Sequence, residues 1–351
     1  MRTIATDSCV VVEFDASASP NVTLYTATAQ PGGIQSSSSE SPLTLSILAN
    51  GTAYSITVTA TNSGAQTSVA SGAVVETPVS LGNVRHFGFH SVGTNPAVHG
   101  NRVALVDACT TANHVFGTDI GGQPVYLQEM ATLGNGQQGI VDIRFQFFSY
   151  PDLRADWAVQ WDFLKTQIAS YMPQVLCWYL DEPVHNTVTA GGTIAQAEAN
   201  LAFVASVVKA DFPNVPLLVV YAWPQVTPTM NIPATIDWVG FDRYTEPWNT
   251  TIPPLLATIK TRVLAHQRLW LVPQAFQQLP GTAQSDALQA ANMDLYWNLA
   301  RGDPDIIGVL VFLISWMAPG QAGALELPLT YARAQEIGKQ VKHSCAPVVV
   351  P

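Results

Sequence analysis

Downstream of residue 84, short apolar runs with strand character alternate with stretches of helical period, and this alternation restricts the fold more than any other feature of the chain. The strand-like runs cover 85–89, 114–116, 140–148, 175–180, 217–222, 238–241, 269–272 and 307–314. Helical stretches lie between them, clearest at 157–171, 194–210, 255–266, 283–300 and 331–342. Strands joined by helical crossovers run parallel, with the helices covering the sheet. Eight such strands within residues 84–345 suit an α/β domain closed as a (β/α)₈ barrel. An open doubly wound sheet is the alternative. The absence of a Gly-rich phosphate loop after the first strand counts against it.

Residues 1–79 read differently. Ser, Thr, Ala and Val dominate, and Arg2 is the only Lys or Arg before Arg85. Residues 10–14, 22–28, 43–47 and 54–60 alternate as strands, separated by turn signals such as Pro31-Gly32-Gly33 and Asn50-Gly51. Short strands, regular turns and no helical period predict an all-β sandwich. Residues 78–83 read as a linker.

Charged residues make up only 11% of the 351 positions, and the formal net charge is −10. Bulk charge therefore gives no hold on nucleic acid or anionic lipid, so neither is expected as a partner. The longest apolar run, 306–318, is too short to span a bilayer, so no membrane insertion is expected. Met1-Arg2-Thr3 leads straight into a strand-like run, and no signal peptide is expected. Cys9, Cys109, Cys177 and Cys345 match no zinc spacing. Cys177, in an apolar run, reads as a buried thiol; whether Cys9 and Cys345 pair is left open by the sequence.

In such a barrel the C-terminal strand ends carry the chemistry. The first strand ends in His90-Ser91, the third in Phe148-Ser149-Tyr150 and the fourth in Asp181-Glu182-Pro183. The fifth ends in Tyr221-Ala222-Trp223, and the sixth in Asp242-Arg243-Tyr244, continuing to Glu246 and Trp248. The seventh reaches Gln274 and the eighth Ser315-Trp316. Adjacent acids directly after an apolar strand, in a chain so poor in charge, point to acid–base work. Cleaving a glycosidic bond takes one carboxyl to protonate the leaving oxygen. A second attacks, stabilises the cationic centre or activates water. Desolvation and like charge separate the titrations of two such acids. The plainer alternatives are a helix cap or an arginine partner for Asp181 and Glu182. For Asp242 the alternatives are a salt bridge to Arg243 or a role in orienting a neighbouring group. Trp223, Trp316, Tyr150 and Tyr244 have faces that suit pyranose rings or simple packing. His90 is a candidate hydrogen-bonding group, and Glu246 a rim charge.

Two resemblances follow from these residues. The run from Leu43-Thr44-Leu45 through Leu48-Ala49-Asn50-Gly51-Thr52-Ala53-Tyr54 to Ser55–Asn62 and Thr77-Pro78 resembles a fibronectin type III module. The resemblance implies that Tyr54 is the corner tyrosine whose hydroxyl ties back to the backbone, and that the module acts as a spacer. Residues 84–345 resemble the glycoside hydrolase TIM-barrel superfamily. In its largest clan a glutamate ending the fourth strand is the general acid, and Glu182 matches that position. The clan's nucleophile ends the seventh strand, where this chain has Gln274. The residue before the acid is usually asparagine, and here it is Asp181. The resemblance thus implies a glycosidase with Glu182 as acid, needing no metal or organic cofactor. Its partner is Asp242, or else Asp181, unless the barrel is a degenerate carbohydrate-binding or structural protein. The expected partner is a polysaccharide, and the expected setting is extracellular or on a cell or virion surface.

Overall fold

The computed structural model describes residues 1–93, 102–119, 121–244, 248–278, 284–315 and 321–345. The chain divides into two compact units: Met1–Gly82 with the C-terminal segment that starts at Lys339, and Asn83–Gly338.

The first unit is all-β. One antiparallel sheet orders the strands Arg2–Thr6, Cys9–Glu13 and Leu43–Ser46. The other orders Ile34–Ser38, Val22–Gln30, Tyr54–Asn62 and Val74–Glu76. Two-residue alternation sends Val10, Val12, Leu43 and Leu45 of the first sheet into one cluster with Tyr25, Ala27 and Ile56 of the second. Tyr54 is 5% exposed, and its hydroxyl accepts the Ala49 amide at 3.0 Å. Cys9 and Cys345 form a disulfide, while Cys109 and Cys177 are buried free thiols.

The second unit is built on eight parallel strands. In chain order they are His86–Phe89, Ala112–Phe116, Gln138–Asp142, Val175–Asp181, Leu217–Ala222, Trp238–Asp242, Arg268–Val272 and Ile306–Val311. Each pairs with its chain neighbours from the second strand to the eighth, and the eighth pairs with the first. The first and second strands meet through side chains standing in for a ladder. The amides of Phe87, Phe89 and Ser91 donate to Thr111 Oγ1, Asn113 Oδ1 and His114 Nδ1, each at 3.0 Å. The Thr111 and Val92 amides donate to the Phe87 and His114 carbonyls in return. The sheet thereby closes as a barrel.

Closure demands glycine at position 88, where a Cβ would lie 1.5 Å from the Ala112 carbonyl oxygen. Inside, the end of the barrel at the strand starts is plugged by aromatic rings. His86 stacks on Trp270 at 5.5 Å and 7°, and Trp238 lies 5.5 Å from the same indole. The Trp270 ring takes the space that a side chain at Gly308 would need, since a Cβ there would come within 2.5 Å of it. Ile140, Cys177, Leu218, Val220, Val272 and Leu310 fill the middle. Polar side chains are left for the strand ends. Among the described residues no helix is long and apolar enough to cross a membrane.

One boundary expected from sequence is corrected. The third strand does not run to Phe148. It stops at Asp142, whose Oδ1 accepts the Arg144 amide at 2.9 Å and turns 144–147 into a single helical turn. Tyr150 is thus carried into the loop beyond, and the residues that do end the third strand are Asp142 and Arg144. The helix expected at 255–266 is Trp248–Lys260, which begins before Pro253 and Pro254.

Gly88→Ala should prevent barrel closure, because the clashing partner is backbone and cannot swing away. The expected loss exceeds about 4 kcal/mol, the range of severe steric failures. Thermal unfolding followed by circular dichroism checks it; an alanine variant that melts within a few degrees of wild type would show that the first and second strands are not packed this way.

Candidate active site

Alternation along the fourth strand points Cys177, Tyr179 and Asp181 into the barrel and would send Glu182 outward. The backbone prevents that. Glu182 adopts a left-handed conformation, φ 47° and ψ 44°, which is uncommon for a residue with a side chain. Its amide donates to the Val220 carbonyl at 3.0 Å, and its carbonyl accepts the Asn186 amide. The kink re-aims the side chain toward the sixth strand. There the carboxyls of Glu182 and Asp242 hydrogen-bond to each other. The fifth strand lies between them. Its inward residue at this level is Ala222, paired in register with Asp242, and its methyl leaves room for the contact.

Glu182 stands at the N-terminus of the helix Pro183–Thr189, yet its side chain makes no capping hydrogen bond. The capping alternative for Glu182 therefore fails. Asp242 does not depend on Arg243 either: the Arg243 guanidinium lies 3.5 Å from the centre of the Trp223 ring. Besides Glu182, Asp242 is contacted by Tyr244, whose hydroxyl donates to Oδ2 at 2.8 Å.

Burial raises the affinity of both carboxyls for protons. The Asp242 carboxyl is held well above the usual carboxylate range by burial, then by the Glu182 charge and the hydrogen bond with it. Glu182 is raised by burial and by the charge of Asp181; its bond to Asp242 works in the other direction. The pair therefore keeps at least one proton where ordinary carboxylates have lost theirs.

Asp181 has a different environment. Arg144 Nη1 reaches its Oδ2 at 2.7 Å, and the Tyr179 hydroxyl donates to its Oδ1 at 2.8 Å. The arginine alternative thus holds for Asp181. Arg144 is itself clamped, with Nε 2.9 Å from Asp142 Oδ2. Burial opposes the charge on Asp142, but Arg144 and His114 outweigh it and leave its pKa lowered. His114 contacts Asp142 Oδ2 through Nε2 at 3.2 Å, while its Nδ1 accepts the Ser91 amide. His90 stacks on His114 at 3.7 Å, with Nε2 3.9 Å from Asp181. Burial, then the adjoining His114 and Arg144, hold His90 well below its usual pKa.

The structure thus brings together Glu182, Asp242, Asp181, Tyr244 and His90 of the sequence candidates. Tyr150 lies within electrostatic reach of Arg144, Asp142 and Asp181, and burial raises its pKa. Gln274 is 8% exposed, and its side-chain amide donates to the Phe276 carbonyl. Trp223 is half exposed under Arg243. Glu246 and Trp316 lie outside the described residues. His114, Asp142, Arg144 and Tyr179 were missed. Alternation along the second and fourth strands marks His114 and Tyr179 as inward-facing. Asp142 and Arg144 were hidden by running the third strand too far.

Solved structures with this fold include the β-glucuronidase of Ruminococcus gnavus in complex with C6-substituted uronic isofagomine, at TM-score 0.50 and 11% identity over 94% of this chain and 67% of that chain. The Bacteroides uniformis β-glucuronidase matches at TM-score 0.50 and 10% identity, over 91% of this chain and 46% of that one. What is shared is the fold, a TIM-like barrel of the kind glycoside hydrolases carry, together with an all-β portion. No family model matches the sequence, and no curated protein matches it.

The raised carboxyls give stability a definite pH dependence. Between the unfolded carboxylate pKa, about 4, and the raised folded values, the native state binds more protons than the unfolded chain. Stability should therefore fall as pH rises through that window. Asp242→Asn should flatten that slope and raise the melting temperature near neutrality. Melting curves across the window check this; an unchanged slope in the variant would show that the pair does not hold the proton.

Proposed function

We propose that the chain is a glycoside hydrolase that cleaves a polysaccharide, with Glu182 as general acid and Asp242 as its partner. The observation that carries the reading is the buried, proton-sharing carboxyl pair at the ends of the fourth and sixth strands. Glu182, a barrel-mouth acid with raised proton affinity, protonates the glycosidic oxygen as the bond to the anomeric carbon breaks. Asp242 sits behind it, bonded to Tyr244, and keeps a proton available to the pair. The Asp181 carboxylate, fixed by Arg144 and Tyr179, faces the same mouth and offers negative charge to the cationic anomeric centre. Water then completes hydrolysis and returns a proton to the pair. The β-glucuronidase likeness supports the barrel and its carbohydrate chemistry; the particular glycan is open.

We read the N-terminal unit as a fibronectin type III-like spacer, supported by its seven described strands in two antiparallel sheets and by the Tyr54 hydroxyl bond to the Ala49 amide. Such a spacer fits a polysaccharide-degrading protein displayed outside the cell or on a virion. A second reading, a carbohydrate-binding or structural protein on a degenerate barrel, is favoured by one observation. Gln274 stands at the seventh strand end, where the largest clan has its nucleophile, and its amide is tied to the Phe276 carbonyl.

Glu182→Gln keeps the shape and removes the acid. Activity on unactivated polysaccharide should drop by roughly two to four orders of magnitude, and less on an aryl glycoside whose leaving group needs little protonation. Assays of both substrates, with circular dichroism as the folding control, check this. Full activity in the folded variant would remove Glu182 from the role. A wild type that binds a glycan but cleaves nothing in a broad panel would favour the second reading.

A further inference from the structure

Outside the barrel wall, beside the ends of the fourth and fifth strands, lies a cavity of about 240 Å³. It is lined by Val184, Ile194, Glu198, Tyr221, Gln225 and Met230, among others. It is separate from the carboxyl pair: Tyr221 alternates with the inward residues Val220 and Ala222, so its side chain points to the helix layer. The helix Ile194–Asp211 brings Glu198 to the cavity from the other side.

Three polar groups here have no partner among the described residues, and two of them are buried atoms. Glu198 is the one charged side chain among the described lining residues, and it makes no hydrogen bond or ion pair with any described residue. Tyr221 is 2% exposed, and its hydroxyl has no hydrogen-bond partner among the described residues. The charge its phenol feels is that of Glu198, and burial and that charge raise its pKa. Gln225 Oε1 is likewise buried without a partner among the described residues. Buried polar groups in folded proteins are normally satisfied, so the Tyr221 hydroxyl and Gln225 Oε1, beside the half-buried Glu198 carboxyl, mark a place where a donor is missing. The missing group must donate, because a carboxylate and an amide oxygen only accept. Lys and Arg are scarce in this chain, 15 of 351 residues, and none lines the cavity.

We infer that this cavity binds the ammonium group of an amino sugar, a hexosamine unit that has lost its acetyl group. A primary ammonium brings three donors and no acceptor. Glu198 takes the charge, and Gln225 Oε1 and the Tyr221 oxygen take the remaining N–H groups. Val184, Ile194 and Met230 offer apolar surface to the C–H face of the ring, while Thr227, Thr229 and Asn231 offer partners for its hydroxyls. The net charge of −10 draws a polycationic chain toward the protein. Val184 follows Glu182 by two residues, so the cavity adjoins the carboxyl pair's end of the barrel. This assignment deepens the polysaccharide reading by naming the substrate as cationic, and it rests on that reading for the polymer but not for the binding itself.

The experiment titrates D-glucosamine, N-acetylglucosamine and glucose into the full chain by NMR with backbone assignment, which needs no catalysis. Glucosamine should shift amides around Ile194–Glu198 and Gln225–Asn231, and the two neutral sugars should bind at least about ten-fold more weakly. Glu198→Gln should weaken glucosamine by a similar factor. Asn231→Trp, which fills the cavity from an exposed position, should abolish those shifts while the protein stays folded. Equal binding of all three sugars, shifts confined to the barrel mouth, or undiminished binding by Glu198→Gln would overturn the assignment. Glucosamine binding here without hydrolysis of any polymer would leave the cavity assigned and refute the glycosidase reading. Hydrolysis without this binding would do the reverse.

Discussion

Two carboxyl groups can hydrogen-bond to each other only when at least one of them carries a proton, and the bond between Glu182 and Asp242 imposes that condition on the whole barrel mouth. Several features of the chain serve it. The left-handed backbone at Glu182 turns the side chain inward against the pleat, Ala222 leaves the space between strands, and Tyr244 fixes Oδ2 of Asp242. Burial then makes the neutral form the favoured one. Strain at a single residue is tolerated because the strand before it and the helix after it hold its amide and carbonyl in place.

Arg144 determines where negative charge is allowed. It lies between Asp142 and Asp181 and pairs directly with both, whereas Glu182 and Asp242 are raised by burial and by neighbouring carboxyls. The stacked His90 and His114 floor this arrangement, with His90 held neutral by burial. Asp181 and Glu182, adjacent in sequence, thereby have different surroundings: one is bonded to a guanidinium, the other to a carboxyl. Below them the Trp238, Trp270 and His86 rings and the glycines that admit them close the barrel and exclude water from beneath the site.

Much of this was legible in the sequence because it depends on period. Parallel strands, their number, and the acids after the fourth and sixth follow from apolar runs and from what interrupts them. The Glu182–Asp242 contact was legible as a pairing of strand ends, but its directness was not: it depends on one backbone dihedral and one small residue on a third strand. Arg144 and Asp142 escaped notice because Ile143-Arg144-Phe145-Gln146-Phe147-Phe148 alternates well enough to pass for a strand. Only the hydrogen bond that the Arg144 amide donates to Asp142 Oδ1 breaks it. The Glu198 cavity was invisible for a similar reason, since no local pattern records that a helix carboxylate and a strand tyrosine meet without partners.

Infrared spectroscopy reads whether the Glu182–Asp242 pair keeps a proton near neutral pH, without any substrate. A protonated carboxylic acid has a carbonyl stretch well separated from that of an ionised carboxylate, and labelling Asp or Glu with ¹³C assigns it by residue type. The account predicts a protonated-acid band in wild type at neutral pH that shifts on labelling and disappears in the Glu182→Gln, Asp242→Asn double variant. A neutral-pH spectrum with carboxylate bands alone would contradict it.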